Sequence, residues 1–122
     1  MIKKHIKQMT KEEVEILTEK VKDIAEKELV LSEHAIERIQ QKNVDKRQLK
    51  KLINHFTVVE HKYYNPSYYR IVIRSRKHKK GENTCAVLDN EGNIITVWKN
   101  QENFKHSNVD LSKYNANLKV LV

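Results

Sequence analysis

The chain has 122 residues, 39% hydrophobic and 33% charged, which suits one globular domain with a modest core and excludes a disordered tail. No apolar run approaches the ~20 residues of a membrane-spanning helix, nothing apolar follows residues 1–5 as a signal peptide requires, and Cys85 has no second cysteine to pair with, so the expectation is a cytoplasmic protein without disulfides or membrane contact. The net charge of +8 is unevenly placed: residues 1–31 carry seven lysines and seven acids, and the whole excess falls in 32–122.

Thr10-Lys11-Glu12-Glu13 is a capping-box sequence, in which the threonine hydroxyl and the glutamate carboxylate satisfy each other's backbone amides. Val14, Leu17, Val21, Ile24 and Ala25 then recur at three- and four-residue spacing, giving an amphipathic helix over 10–27. Ser32 reads as the next N-cap, with Ala35, Ile36 and Ile39 on a helix to about residue 42. Asp45-x-x-Gln48 is another capping box, and Leu49, Leu52 and Ile53 mark the inner face of a third helix.

From Phe56 the apolar period shortens to two. Strands are expected over 56–64, 69–74, 84–88 and 94–98, with turns at Asn65-Pro66-Ser67 and at 89–93 and a basic loop over 77–83. Residues 118–122 suit a short edge strand. Helices followed by hairpin-linked strands predict an α+β fold, with N-terminal helices packed on a four-stranded antiparallel meander. The domain reading is a charge-balanced amphipathic helix within 1–31 and a basic α+β domain over 32–122, together one globular unit.

The histidines at 5, 34, 55, 61, 78 and 106 are scattered, there is no Cys pair and no H-E-x-x-H, so no metal site is expected. With only Gly81 and Gly92, no phosphate-cradling loop is expected either, and no cofactor. What remains, histidine with arginine, lysine, threonine and tyrosine, is sufficient for metal-free RNA cleavage: a base for the 2′-hydroxyl, cations for the phosphorane, and an acid for the leaving oxygen.

His34 falls in the first turn of the second helix, where amides and dipole favour an anion; a solvent-facing or capping histidine fits the pattern equally. Arg38 follows four residues later on the same helical face. Arg70, Arg74 and Arg76 have the even spacing that puts all three on one sheet face in a regular strand, where like charges repel unless an anion lies across them, the alternative being a solvated face; the loop Arg76-Lys77-His78-Lys79-Lys80 extends the patch. Trp98 reads as core before base-stacking platform. Tyr63, Tyr64, Tyr68 and Tyr69 flank the first turn and suit base stacking, although two of the four should face the core in any alternating strand. His106 and Tyr114 lie in the tail, where the pattern fixes no position. Cys85, flanked by strand residues, reads as a small buried hydrophobe.

Ser32-x-His34-Ala35-x-x-Arg38, the following helix over 45–55, the strand with Arg70 and Arg74, and Ile94-Ile95-Thr96-Val97-Trp98 together resemble a family of small bacterial and phage domains. That family looks like part of the barnase–EndoU–colicin–RelE-like (BECR) group of ribonuclease toxins. The resemblance covers about residues 31–100; the helix over 10–27 and the tail after residue 100 are outside it. It implies a RelE/BECR-like sheet carrying the active groove, His34 as general acid or base, Arg74 (or Arg70) as the phosphate-contacting cation, Thr96 as a phosphate-contacting hydroxyl, and Lys99 as a second cation. The expectation is therefore a metal-independent endoribonuclease of toxin or phage and mobile-element effector type, with catalytic His34, Arg74 and Thr96 and RNA contacts from Arg38, Arg70, Arg76, Lys77 and Lys99. The alternative is a non-catalytic nucleic-acid-binding or host-factor-binding protein. Expected partners are RNA or another nucleic acid, and an antitoxin, immunity or host protein met by the helix over 10–27, which serves equally well as a homodimer arm or as a helix packed on its own domain.

Overall fold

The computed structural model describes residues 1–101 and 110–120. In chain order it contains β1 (Ile2–His5), a 3₁₀ turn (Ile6–Gln8), α1 (Lys11–Glu26), β2 (Val30–Leu31), α2 (Glu33–Gln41), α3 (Lys46–Asn54), β3 (Phe56–Asn65), β4 (Tyr68–Ser75), β5 (Glu82–Asp89), β6 (Asn93–Gln101) and a second 3₁₀ turn (Leu111–Lys113). This is an α+β fold, and no helix of the described residues is long and apolar enough to cross a membrane.

The helix starts follow the local rules. Thr10 Oγ1 accepts from the Glu13 amide while the Glu13 carboxylate accepts from the Thr10 amide, and Asp45 and Gln48 repeat the arrangement at α3. Ser32 Oγ accepts from the Ala35 amide and donates to the Ile95 carbonyl, so the cap of α2 also fastens the helix to β6. At the other end of α2, Asn43 takes φ 52° and the Val44 amide returns to the Ile39 carbonyl, a left-handed helix stop that asparagine tolerates.

The sheet differs from the expected four antiparallel strands. It has six, in the order β1-β3-β4-β5-β6-β2. The meander β3–β6 forms its centre; β1 adds an antiparallel edge to β3, and β2 adds a parallel edge to β6. Both additions were hidden in the sequence because their apolar patterns are too short to register. β1 offers Ile2 followed by Lys3 and Lys4, and Lys4 is buried by an ion pair with Glu13 at 2.8 Å rather than by an apolar neighbour. β2 is two residues long, held by bonds from the Val30 amide to the Gly92 carbonyl and from the Ser32 amide to the Ile94 carbonyl.

All three helices pack on one face. Leu17 and Val21 of α1, Ala35 of α2 and Leu52 of α3 share a core with Phe56, Val58, Ile71, Ile73, Ala86, Leu88, Ile94 and Val97. The apolar stripe of α1 is thus spent on this chain's own core, and β1 and β2 bind the segment 1–31 into the same sheet. The other face carries a smaller apolar cluster of Val59, Val72 and Val87, with Ile95 and Trp98 against it. Residues 118–120 form no strand; Val120 instead joins the helix-side core, and its amide donates to Glu13. Residues 121–122 and His106 lie outside the described residues.

Candidate nucleic-acid interface

The row of three arginines expected on β4 is broken. Ile71 and Ile73 point into the helix-side core, so Arg70 and Arg74 project from the helix-free face. The strand ends at Ser75, which puts Arg76 beyond the pleat that would have aligned it with the other two. Arg76 turns toward α3: its amide donates to the His55 carbonyl at 3.0 Å and its Nε to the Phe56 carbonyl at 2.9 Å.

Arg74 is occupied from within. It is 8% exposed, and its guanidinium donates to Asn83 Oδ1 and to the Gln101 carbonyl. Asn83 in turn donates to the Ser75 carbonyl, so the arginine closes a buried network at the end of the β4–β5 pair. Arg70 donates to Tyr68 Oη and lies over the rings of Tyr64 and Tyr68. Arg74 is therefore not a bare cation waiting for phosphate.

The other candidate residues are distributed over both sides of the sheet. Thr96 pairs with Val87 on the helix-free face. His34 is exposed on α2, in the helix layer, two residues after Ser32, which is tied to Ile95 of β6. Arg38 is half-buried on the same helix. Lys99 pairs across from Thr84 and reaches back to the Asn43 carbonyl at 3.1 Å, where it caps the C-terminal end of α2. His34 and Arg74 therefore stand on different sides of the sheet, with Arg74 on β4, two strands away from β6.

Cys85 is fully buried, and burial pushes its thiol up to about 12, which removes it from nucleophilic chemistry. Trp98 is half-buried against the valine cluster. Tyr69 packs on the helix-side core, whereas Tyr64 and Tyr68 meet edge to face at the β3–β4 turn.

A cationic surface forms where the expected basic run beginning at Arg76 and Lys77 meets α3, whose side of it the sequence reading did not single out. A groove of about 660 Å³ runs between α3 and the β4–β5 connection. Its α3 wall is Arg47, Gln48, Lys51 and His55; its other wall is Ser75, Arg76, Lys77, His78, Lys79, Glu82 and Thr84. Five lysines and arginines therefore face one carboxylate among the described lining residues. The α3 wall follows from spacing: Arg47, Lys51 and His55 recur every four residues, the stripe next to the buried Leu52. The facing wall is shaped by a tight hairpin. Lys79 and Glu82 exchange backbone bonds of 2.8 and 3.1 Å around Lys80 and Gly81, both with positive φ (53° and 81°), the geometry of a type I′ turn. The Gly81 amide donates to His78 Nδ1 at 3.0 Å, which orients that ring, and Lys79 meets Asp45 at 3.2 Å across the mouth of the groove.

The four-residue repeat 47-51-55 beside the basic run 76–80 was the available signal. The run 76–80 was expected to be basic surface; its pairing with the α3 stripe was not foreseen, because nothing local says that the end of α3 docks on the end of β4. Among the described residues no cluster of His, Cys, Asp and Glu suits a metal ion. No protein-family model, no curated protein and no solved structure matches this chain.

Proposed function

We propose that this protein binds RNA through the groove between α3 and the β4–β5 hairpin. The observation that carries the reading is the charge imbalance of that groove, five cations and two histidines against Glu82 and, at the mouth, Asp45 paired to Lys79. Cations held this close repel one another, and a phosphate backbone running between the two walls relieves the repulsion while releasing its counterions. The BECR resemblance supports RNA as the polyanion, and the order of elements, helices then an antiparallel meander, is the order it implies. The test is fluorescence anisotropy of a labelled RNA against wild type and the Arg47→Glu, Lys51→Glu, Lys77→Glu triple variant, all three positions being exposed. Loss of binding in the variant supports the groove; unchanged binding removes it.

The second reading is metal-independent endoribonuclease activity in the same groove, of the toxin or mobile-element effector type that the resemblance implies. It is favoured by His55 and His78, which line the groove together with Arg76 and Lys51. An imidazole can take the 2′-hydroxyl proton near neutral pH, and the neighbouring cations suit a charged phosphorane. Incubation with RNA in EDTA, read for 2′,3′-cyclic phosphate ends, decides it. Cleavage abolished by His55→Ala places the chemistry in the groove, cleavage abolished by His34→Ala places it on α2, and binding without cleavage leaves a binding module.

A further inference from the structure

We propose a second nucleic-acid contact, separate from the groove: a cation–tyrosine ladder on the helix-free face that takes a single-stranded RNA segment. The pairing register places Lys3, Lys62 and Arg70 directly opposite one another on β1, β3 and β4. All three point away from the helices, since their neighbours Lys4, His61 and Ile71 face the helix side, Lys4 paired to Glu13, His61 against Tyr69 and Ile71 in the core. Side chains directly opposite across antiparallel strands have Cβ atoms only about 4.5–5.5 Å apart, and like charges there are destabilising. Three cations in one such row are an arrangement that folding alone does not favour.

Aromatic rings are interleaved with the row. Lys3 Nζ lies 4.4 Å from the Tyr114 ring, and the Arg70 guanidinium lies 4.9 Å from Tyr64 and 5.5 Å from Tyr68. The nearest carboxylates are already committed. Asp89, at the end of the row, is 2% exposed and accepts from Tyr68, Glu91 and Asn93; Glu60, one row over, accepts from Tyr114. Tyr64 is 37% exposed, which leaves ring surface for a base. Alternating half-exposed cations and π-faces on this side of the sheet match the two halves of a single strand, phosphates to the cations and a base on the ring. A duplex keeps its bases stacked on each other and has no use for Tyr64.

Arg70 and Arg76 are six residues apart along β4 and its end, about 20 Å at strand rise, so ladder and groove can be tested separately. The experiment is anisotropy with a labelled mixed-sequence single-stranded RNA 10-mer and with an RNA duplex of the same length, each also competed with inorganic polyphosphate. The proteins are wild type, Tyr64→Ala, Tyr64→Phe and Lys62→Gln, with matching thermal midpoints as the folding control. Tyr64→Ala should weaken single-strand binding by about five- to hundredfold, the range for loss of one stacked base, with duplex binding and polyphosphate competition unchanged. Tyr64→Phe should restore it, and Lys62→Gln should weaken it while lowering the salt slope by about 0.7. Wild-type single-strand affinity in both Tyr64→Ala and Lys62→Gln overturns the ladder, as does an equal loss on the duplex. The groove triple variant is read on the duplex, so failure of the groove leaves the ladder result standing on its own.

Discussion

Arg74 and Arg76 are separated by one residue and have opposite situations. Arg74 closes an internal network with Asn83 and the Gln101 carbonyl and is nearly buried. Arg76, one step past the end of the strand, is exposed and lines the groove with Lys51 and Lys77. The region around Arg74 spends its charge on holding β4, β5 and the end of β6 together. The region around Arg76 holds its charges beside one another with few internal partners. A count of basic residues does not separate these cases; what separates them is whether the protein supplies the acceptors itself. Stability should therefore follow the first region and polyanion affinity the second.

The largest expected effect is on the groove side. The triple variant at Arg47, Lys51 and Lys77 should lose about a hundredfold or more in affinity for an RNA duplex at moderate salt, and the slope of log K against log salt should fall by about 2.7 for the duplex. Its unfolding midpoint in urea should stay near that of wild type, because these side chains are exposed. An undiminished salt slope would break the comparison.

The converse substitution is Arg74→Ala. It leaves Asn83 Oδ1 and the Gln101 carbonyl without their donor, and a buried acceptor stripped of a charged partner costs about 2 kcal/mol. Urea unfolding measures that loss, and RNA affinity of the folded fraction should remain within about twofold of wild type. Arg74 was expected to be a catalytic cation; a large effect on binding or cleavage without a stability loss would return it to that role.

The helix starts and the central meander were legible because each rests on a few neighbouring residues: Thr10 with Glu13, Ser32 with Ala35, Asp45 with Gln48, and alternation from Phe56 onward. The edges were not. β1 and β2 are strands because β3 and β6 offer them unpaired backbone, and two to four residues of their own pattern cannot announce it. The site suffered the same limit. Even spacing placed Arg70 and Arg74 on one face correctly, but failed at Arg76 because it assumed that the strand continued. The groove itself exists only where the end of α3 meets the end of β4, joined by the bond between the Arg76 amide and the His55 carbonyl, a contact between residues 21 apart in sequence.

A third contrast concerns pH. Burial, then the positive charge of Lys20, holds His61 below its ordinary 6.5, and burial lowers His5 likewise. A group with a depressed folded pKa binds its proton more readily in the unfolded chain, so its contribution is complete above 6.5 and is lost as pH falls through the folded value. For Glu13, burial alone would raise the pKa, but bonds from Lys4 and from the Thr10 and Val120 amides outweigh it and bring it to about 2. Its contribution is intact above 4.5 and is lost as pH falls toward 2. Urea midpoints should therefore fall in two stages, first below pH 6.5 and again below 4.5. His61→Phe should flatten the first stage, and Glu13→Gln the second. None of these three residues lines the groove, so the two stages should survive in the groove triple variant; their disappearance there would show that the regions are not independent.

The smallest effect links the two regions in one residue. Asp45 caps α3 by accepting from the Gln48 amide, and it also holds Lys79 at 3.2 Å across the groove mouth. Both partners of the ion pair are more than half exposed or close to it, at 57% and 50%, so the pair itself contributes little to stability. The cap contributes more. Asp45→Ala should lower the urea midpoint, while Asp45→Asn, which keeps a capping oxygen without the charge, should lower it less. In RNA binding the two variants should behave alike, both gaining a few-fold in affinity, because each removes a carboxylate that competes with phosphate for Lys79. Equal stability losses in the two would assign the effect to the ion pair; unchanged affinity in both would mean that RNA does not reach the end of the groove where Lys79 stands.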